Sequence, residues 1–216
     1  MYGNEEHEGL SDHGSDDDND DEVKSAKLKR MRERIDWDVE EQRHDLLRQL
    51  CYLTIDWQGS LPNLLDVFRK EEIDWLLTTH VQNLDNQPGL SNLVKFVVRS
   101  GYKDEPDLDE DTGEPLTRRT TALHRASRRE FWPSFMIIEL FEIYDRFDVN
   151  YTDEFGLTHF HVACEYGLED VVEKFLKLGR VDPNCLEYVT GDSPLHFALT
   201  GTTLERRRTD SERHSS

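Results

Sequence analysis

The sequence predicts an all-α fold: a solenoid of helix–turn–helix units joined by hairpin loops, preceded by a helical N-terminal segment and an acidic disordered tail. Three observations predict it. A four-residue box ending in histidine recurs as Thr121-Ala122-Leu123-His124, Thr158-His159-Phe160-His161 and Ser193-Pro194-Leu195-His196, with the histidines 37 and 35 residues apart. A second register agrees, because Asn150 and Asn184 close similar turns 34 residues apart. A third echo links residues 89–101 and 167–179, each thirteen long with glycine at both ends and aliphatics at matching places. One such unit cannot bury both of its apolar faces, so units of this kind stack.

The central unit, 153–184, shows the plan most fully. Gly156 and Thr158 precede a short helix carrying His161, Ala163 and Cys164. Gly167 breaks that helix, Val171, Val172, Phe175 and Leu176 make a second apolar face, and Gly179 ends it. Gly191-Asp192-Ser193-Pro194-Leu195-His196-Phe197-Ala198 repeats the first half.

These boxes and their period of about 33 residues resemble the ankyrin repeat family, whose signature is T-P-L-H-x-A. The resemblance covers residues 116–199. It implies an array at 74–200, with a divergent unit at 74–101, units at 116–150 and 153–184, and a partial unit at 188–199. It also implies that Thr121, Leu123, His124, Gly156, Thr158, His161, Ala163, Gly167, Gly179, Ser193, Pro194, Leu195 and His196 serve the fold and not chemistry.

Taken in order, residues 1–22 hold ten acids and no Lys or Arg, half of the chain's net charge of −20. Such a tail cannot offset the entropy of ordering and is expected to be disordered. Residues 23–73 read as a helical segment. The basic run 24–34 fits solvated helical turns, since Leu28, Met31 and Ile35 fall at helical steps, and competes with a nuclear localisation reading. Residues 36–55 carry the stripe Val39, Leu46, Leu47, Leu50 and Leu53, and Leu64, Leu65 and Phe68 continue the helical pattern after Pro62. Asn86–Gly89 is a turn. The stretch 104–114 packs seven acids into the place of a hairpin between two units. Its alternating Asp107, Asp109 and Asp111 invite a calcium-loop reading, which fails because Gly113 falls one place late and Arg118 stands where a glutamate is needed. In the unit 116–150 the inner loop is enlarged by Phe131 and Trp132, an anchor for a partner or a local staple, and Ile137, Ile138, Phe141 and Tyr144 form the face of its second helix. Residues 201–216 are polar and expected to be disordered.

Charge this negative disfavours direct binding to nucleic acid or an anionic membrane. No apolar run is long enough to span a bilayer, and neither a membrane span nor a signal peptide is expected. Three cysteines, Cys51, Cys164 and Cys185, give no disulfide framework and fit a reducing compartment, so a cytoplasmic or nuclear location is expected. His159, His161 and Cys164 mimic a metal cluster, and Ser193 a nucleophile, but both belong to repeat boxes. No phosphate-binding or dinucleotide fingerprint occurs. No catalytic residue, cofactor or metal is expected.

The resemblance implies a protein-binding scaffold, adaptor or signalling regulator that uses a concave face and hairpin fingers; the alternative is a truncated regulatory region of a larger protein. The residues expected to meet the partner are Asp104, Glu105, Asp107, Asp109, Glu110 and Asp111 in the first finger. Tyr151, Thr152, Glu154 and Phe155 follow in the second, and Leu186, Glu187, Tyr188 and Val189 in the third. Their charge calls for a partner with a basic surface. The protein itself is expected to be a monomer or to self-associate weakly through its open last unit.

Overall fold

A computed structural model describes residues 15–55, 57–83, 92–129 and 133–201, without the side chains of 15–19 and 92. The expectations for residues 1–14, the turn at 86–89, Phe131 and Trp132, and the tail at 202–216 lie outside the described residues. The chain divides into two compact units, Met1–Pro62 and Asn63–Ser216. Among the described residues the regular structure is entirely helical, with only isolated bridges of β type. No described helix is long and apolar enough to cross a membrane.

The first unit is a helix pair, α1 (Ser15–Glu33) and α2 (Glu40–Ile55). The stretch 15–22, expected to be disordered, is therefore helical. Its sequence explains this, for α1 runs from acidic residues to a last turn bearing Arg30 and Arg32, the order that suits the helix dipole. Lys24 reaches back one turn to Asp20 at 2.6 Å. Helix α2 starts at Glu40 instead of Asp36, which leaves Val39 exposed outside the stripe. Leu46, Leu47, Leu50 and Cys51 are buried as its helical period demands.

In the second unit, Leu64–Asp66 forms one 3-10 turn, opened by Asn63, whose side chain accepts from Leu65 N. The helical pattern from Leu64 to Leu77 is thus broken before α3 (Lys70–Asn83), with Phe68 buried in the break. Helix α4 (Asn92–Arg99) follows, then α5 (Ala122–Ser127) with α6 (Ser134–Ile143), and α7 (His159–Glu165) with α8 (Glu169–Leu178). The chain is helical again over 194–201, here α9. Helix α5 packs on α3, α6 and α7, α4 packs on α6, and α7 on α8.

The core of the middle units joins positions the periodicity picks out, Leu123, Ile137, Ala163 and Phe175, to Ala126, Leu140 and Val162, which it does not. Leu123, Ala126, Ile137 and Leu140 are fully buried, and so are Val162, Ala163 and Phe175. Phe175 meets Phe141, Phe147 and Phe160 edge-on at 5.2–6.5 Å between ring centres, joining α8 to α6. Two expectations fail at the rims. Ile138 on α6 is 47% exposed, and α8 buries Phe175 but leaves Leu176 48% exposed. Each lies on the side of its helix that no described neighbour covers. Gly167 and Gly179 adopt left-handed backbone, as helix-ending glycines do.

Candidate interaction surface

Each short helix α5, α7 and α9 opens with the same bond. The backbone N–H of Thr121 donates to His124 Nδ1 at 3.0 Å, that of Thr158 to His161 Nδ1 at 3.2 Å, and that of Ser193 to His196 Nδ1 at 3.1 Å. The histidine does the work a glutamate does in a capping box. A neutral ring that accepts at Nδ1 carries its proton on Nε2, and His124 Nε2 donates to the carbonyl of Tyr151 at 3.2 Å. His159 contributes differently, its Nε2 lying 2.8 Å from Thr121 Oγ1 across two units. Burial pushes His124 down to about 4 and holds His161 and His159 below their ordinary range.

Ahead of each box lies a turn built on one plan. Asp109 Oδ1 accepts from the N–H of Asp111 and Thr112, while Gly113 N–H donates back to Asp109 C=O at 2.8 Å. Asp153 Oδ1 accepts from Phe155 and Leu157, both at 2.9 Å, and Gly156 closes that turn. Glu187 Oε2 accepts from Val189 and Thr190, and Gly191 closes it. The closing glycines have φ of 70°, 82° and 75°. At Gly156 a side chain would also run into the Tyr188 ring, 2.8 Å from where its Cβ would sit. This acid-to-glycine register (Asp109 with Gly113, Asp153 with Gly156, Glu187 with Gly191) is readable in the sequence beside the histidine boxes.

The turns are tied to one another. Thr152 N–H donates to Thr117 C=O at 2.8 Å, Arg119 N–H to Thr152 C=O at 3.1 Å, and Tyr188 N–H to Phe155 C=O at 2.8 Å. Beneath them two arginines neutralise buried carboxylates. Arg119 meets Asp104 at 2.6 Å and lies over the Tyr151 ring, whose hydroxyl donates to the other Asp104 oxygen at 2.7 Å. Burial works against the Arg119 charge, yet Asp104 and Asp74 hold its pKa above the ordinary value. Burial, then the Asp104 bond and charge, push the Tyr151 phenol up. Arg128 meets Asp153 at 2.6 Å and Glu187 at 3.9 Å, and covers the Phe155 ring. Both arginines flank the first histidine box, and neither stood out in the sequence.

Three of the residues expected to meet a partner are therefore structural. Asp104, Tyr151 and Glu187 are only 2%, 2% and 4% exposed, because Asp104 is spent on Arg119, the Tyr151 hydroxyl on Asp104, and Glu187 on its own turn. Asp109, though at the surface, holds its turn, and those bonds keep its carboxyl below the usual range. Glu105 pairs with Arg146 at 2.7 Å and Asp107 with Lys70 at 2.5 Å. Thr152 is half-buried and helps line a shallow groove of ≈ 360 Å³ with Glu114, Asp148, Thr158, Arg180 and Cys185. What remains for solvent is Glu110, Asp111, Glu154, Phe155, Leu186, Tyr188 and Val189. Phe155 and Tyr188, bonded through their backbones, bring the second and third tips together, and Tyr188 and Val189 are 70% and 69% exposed.

The last box departs from the first two. Leu195 and His196, expected inside the fold, are exposed, while Leu123, His124 and His161 are fully buried. Nothing described lies over that side of α9.

Compared with protein-family models, curated proteins and solved structures, the chain returns no match.

Proposed function

We propose that the second unit is an ankyrin-type array and that it works as a protein–protein interaction module, a scaffold, adaptor or signalling regulator. The observation that carries this reading is the threefold repetition of one design. A carboxylate-anchored turn leads into a histidine-capped helix at 109–124, 153–161 and 187–196. In each, the polar residues that could do chemistry are spent on holding the turn or the cap. The side chains left over stand at the tips, where each exposes surface to solvent, as specificity residues on a scaffold do. Aromatic and aliphatic tips at Phe155, Tyr188 and Val189 supply an anchor, and Glu110, Asp111 and Glu154 supply a negative rim for a partner with a basic surface.

Affinity capture with the full chain tests the reading. A Phe155→Ser, Tyr188→Ser, Val189→Ser variant should lose the partners that the natural chain retains. A Glu110→Gln, Asp111→Asn, Glu154→Gln variant should retain them with weaker, less salt-sensitive binding. Equal recovery by all three chains would overturn it.

A further inference from the structure

We infer that the basic run 24–34 is a nuclear-import signal, whose Lys27, Lys29, Arg30 and Arg34 dock in an acidic groove of a carrier protein. The inference goes beyond the partner-binding reading and rests on residues of the first unit.

Composition sets the run apart. Its eleven residues hold six Lys or Arg and a single acid, Glu33, in a chain that carries 46 acids against 26 bases. Short runs of this kind are read by nuclear-import carriers or by nucleic-acid phosphates. They also occur as the solvated face of a helix, and the side chains decide between a signal and such a face.

Lys27, Lys29 and Arg30 on α1, and Arg34 just past its end, are exposed. Among the described residues none of the four meets a carboxylate. Glu33 lies three and four residues from Arg30 and Lys29, the spacing at which a helix forms such pairs, and makes neither. The other two cations of the run are spent, Lys24 on Asp20 at 2.6 Å and Arg32 over the Trp37 ring at 5.1 Å. In the second unit Lys70, Lys103, Arg119, Arg128, Arg146 and Arg180 each meet a carboxylate. Carboxylates are plentiful in this chain, yet four cations within eight residues are left without one. Packing also leaves the run accessible. Of its side chains only Leu28 is buried. A local opening of α1 therefore presents the run whole at the loss of one buried leucine.

Charge names the occupant. DNA, RNA and anionic membranes are negative over wide surfaces, which repel the rest of a chain of −20. An acidic groove on a protein concentrates its carboxylates where a short run alone can reach them. There the Lys27 and Lys29 ammonium groups and the forked Arg30 and Arg34 guanidinium groups donate charge-assisted hydrogen bonds.

Expression in eukaryotic cells of the full chain, fused to a reporter too large to diffuse through the nuclear pore, tests the inference. The fusion should reach a nuclear-to-cytoplasmic ratio severalfold above that of the reporter alone. Lys27→Gln with Lys29→Gln, Arg30→Gln and Arg34→Gln should return the ratio to the reporter's. The circular dichroism of the purified variant should be unchanged, since glutamine keeps helix propensity and the four positions are exposed. Lys27→Arg with Lys29→Arg keeps the charge and should be imported as the natural chain is. The Phe155→Ser, Tyr188→Ser, Val189→Ser variant should also enter, which separates import from partner binding through the tips. A fusion no more nuclear than the reporter overturns the inference, and so does one that accumulates without the four charges or only with the tips intact. Retention of the purified chain by duplex DNA or by phosphatidylserine vesicles, lost in the quadruple variant, would overturn it by giving the run a different occupant.

Discussion

The boxes at 158–161 and 193–196 are the same structure locally and opposite environments globally. In both, a backbone N–H reaches a histidine Nδ1 three residues on, at 3.2 and 3.1 Å, and the hydroxyl beside it lies 2.8 and 3.0 Å from the same nitrogen. Yet His161 is sealed and His196 lies open. The cap forms because four residues suffice for it. Burial follows only where another unit stacks on top. The lesson is that the repeated signature specifies a helix start, and that its weight in stability is lent by the neighbours.

The comparison is broken most severely by attacking what lies beneath the covered boxes. Arg119→Met strands the buried Asp104 carboxylate, which keeps only the Tyr151 hydroxyl. Chemical denaturation should show a loss of about 3–5 kcal/mol. Arg180, whose 3.8 Å pair with Glu114 is exposed, serves as the control, and Arg180→Met should cost less than about 1 kcal/mol. If the two losses match, the covered network is not what holds the unit.

Next in size is the leucine that occupies the same register in two boxes. Leu123→Ala should cost about 2–5 kcal/mol, because the residue is fully buried and leaves a cavity. Leu195→Ala should stay within about 0.5 kcal/mol, since its side chain already faces solvent. A large loss at Leu195 would mean that α9 is covered in solution.

Acid sharpens the comparison further. Burial holds His124 at about 4 in the fold, against 6.5 for a free histidine. The unfolded chain therefore binds a proton in that window that the folded chain refuses, and the folded state's advantage is complete above pH 6.5 and lost as pH falls through 4. A pH series of denaturant midpoints should show stability declining by about 3 kcal/mol from this one group. His124→Gln should make that limb shallower, with His159 and His161 keeping the remainder; an unchanged limb would place the acid sensitivity elsewhere.

The smallest effect is at the caps themselves. Thr158→Ala should cost about 1–2 kcal/mol, because the Thr158 hydroxyl also accepts from His161 N–H at 3.2 Å inside the fold. Ser193→Ala should fray α9 with little change in the global midpoint, an opening seen by amide exchange and not by denaturant.

Much of the fold was legible in advance, and the reason is visible residue by residue. The helix pairs follow from the spacing of Leu46, Leu50, Ile137, Phe141 and Phe175. The helix ends follow from Gly167 and Gly179, and the boxes from Thr or Ser with His at the fourth place. The acidic run at the N-terminus misled, because composition argued for a tail while the order of charges, acid first and base last, suits a helix. The turn tips were legible in their location, and which of their side chains stay exposed was not. Tyr151 and Tyr188 look equally suitable as tip residues in sequence, but one donates to Asp104 from the interior and the other stacks over Gly156 in solvent.

That division has a physical cause. The sequence by itself determined every feature whose bonds close within a few residues: helices, histidine caps, and turns such as Glu187 folding onto the N–H of Val189 and Thr190. Only the tertiary structure decided which charges are desolvated and which apolar groups are not. Arg119 finds Asp104 fifteen residues away and Arg128 finds Asp153 twenty-five away, because the packing of α5 on its neighbours brings them together. Leu195 stays in water although it repeats Leu123, for no described helix reaches it. Hydrogen-bond geometry is a local property of the chain, whereas burial depends on what else is packed nearby.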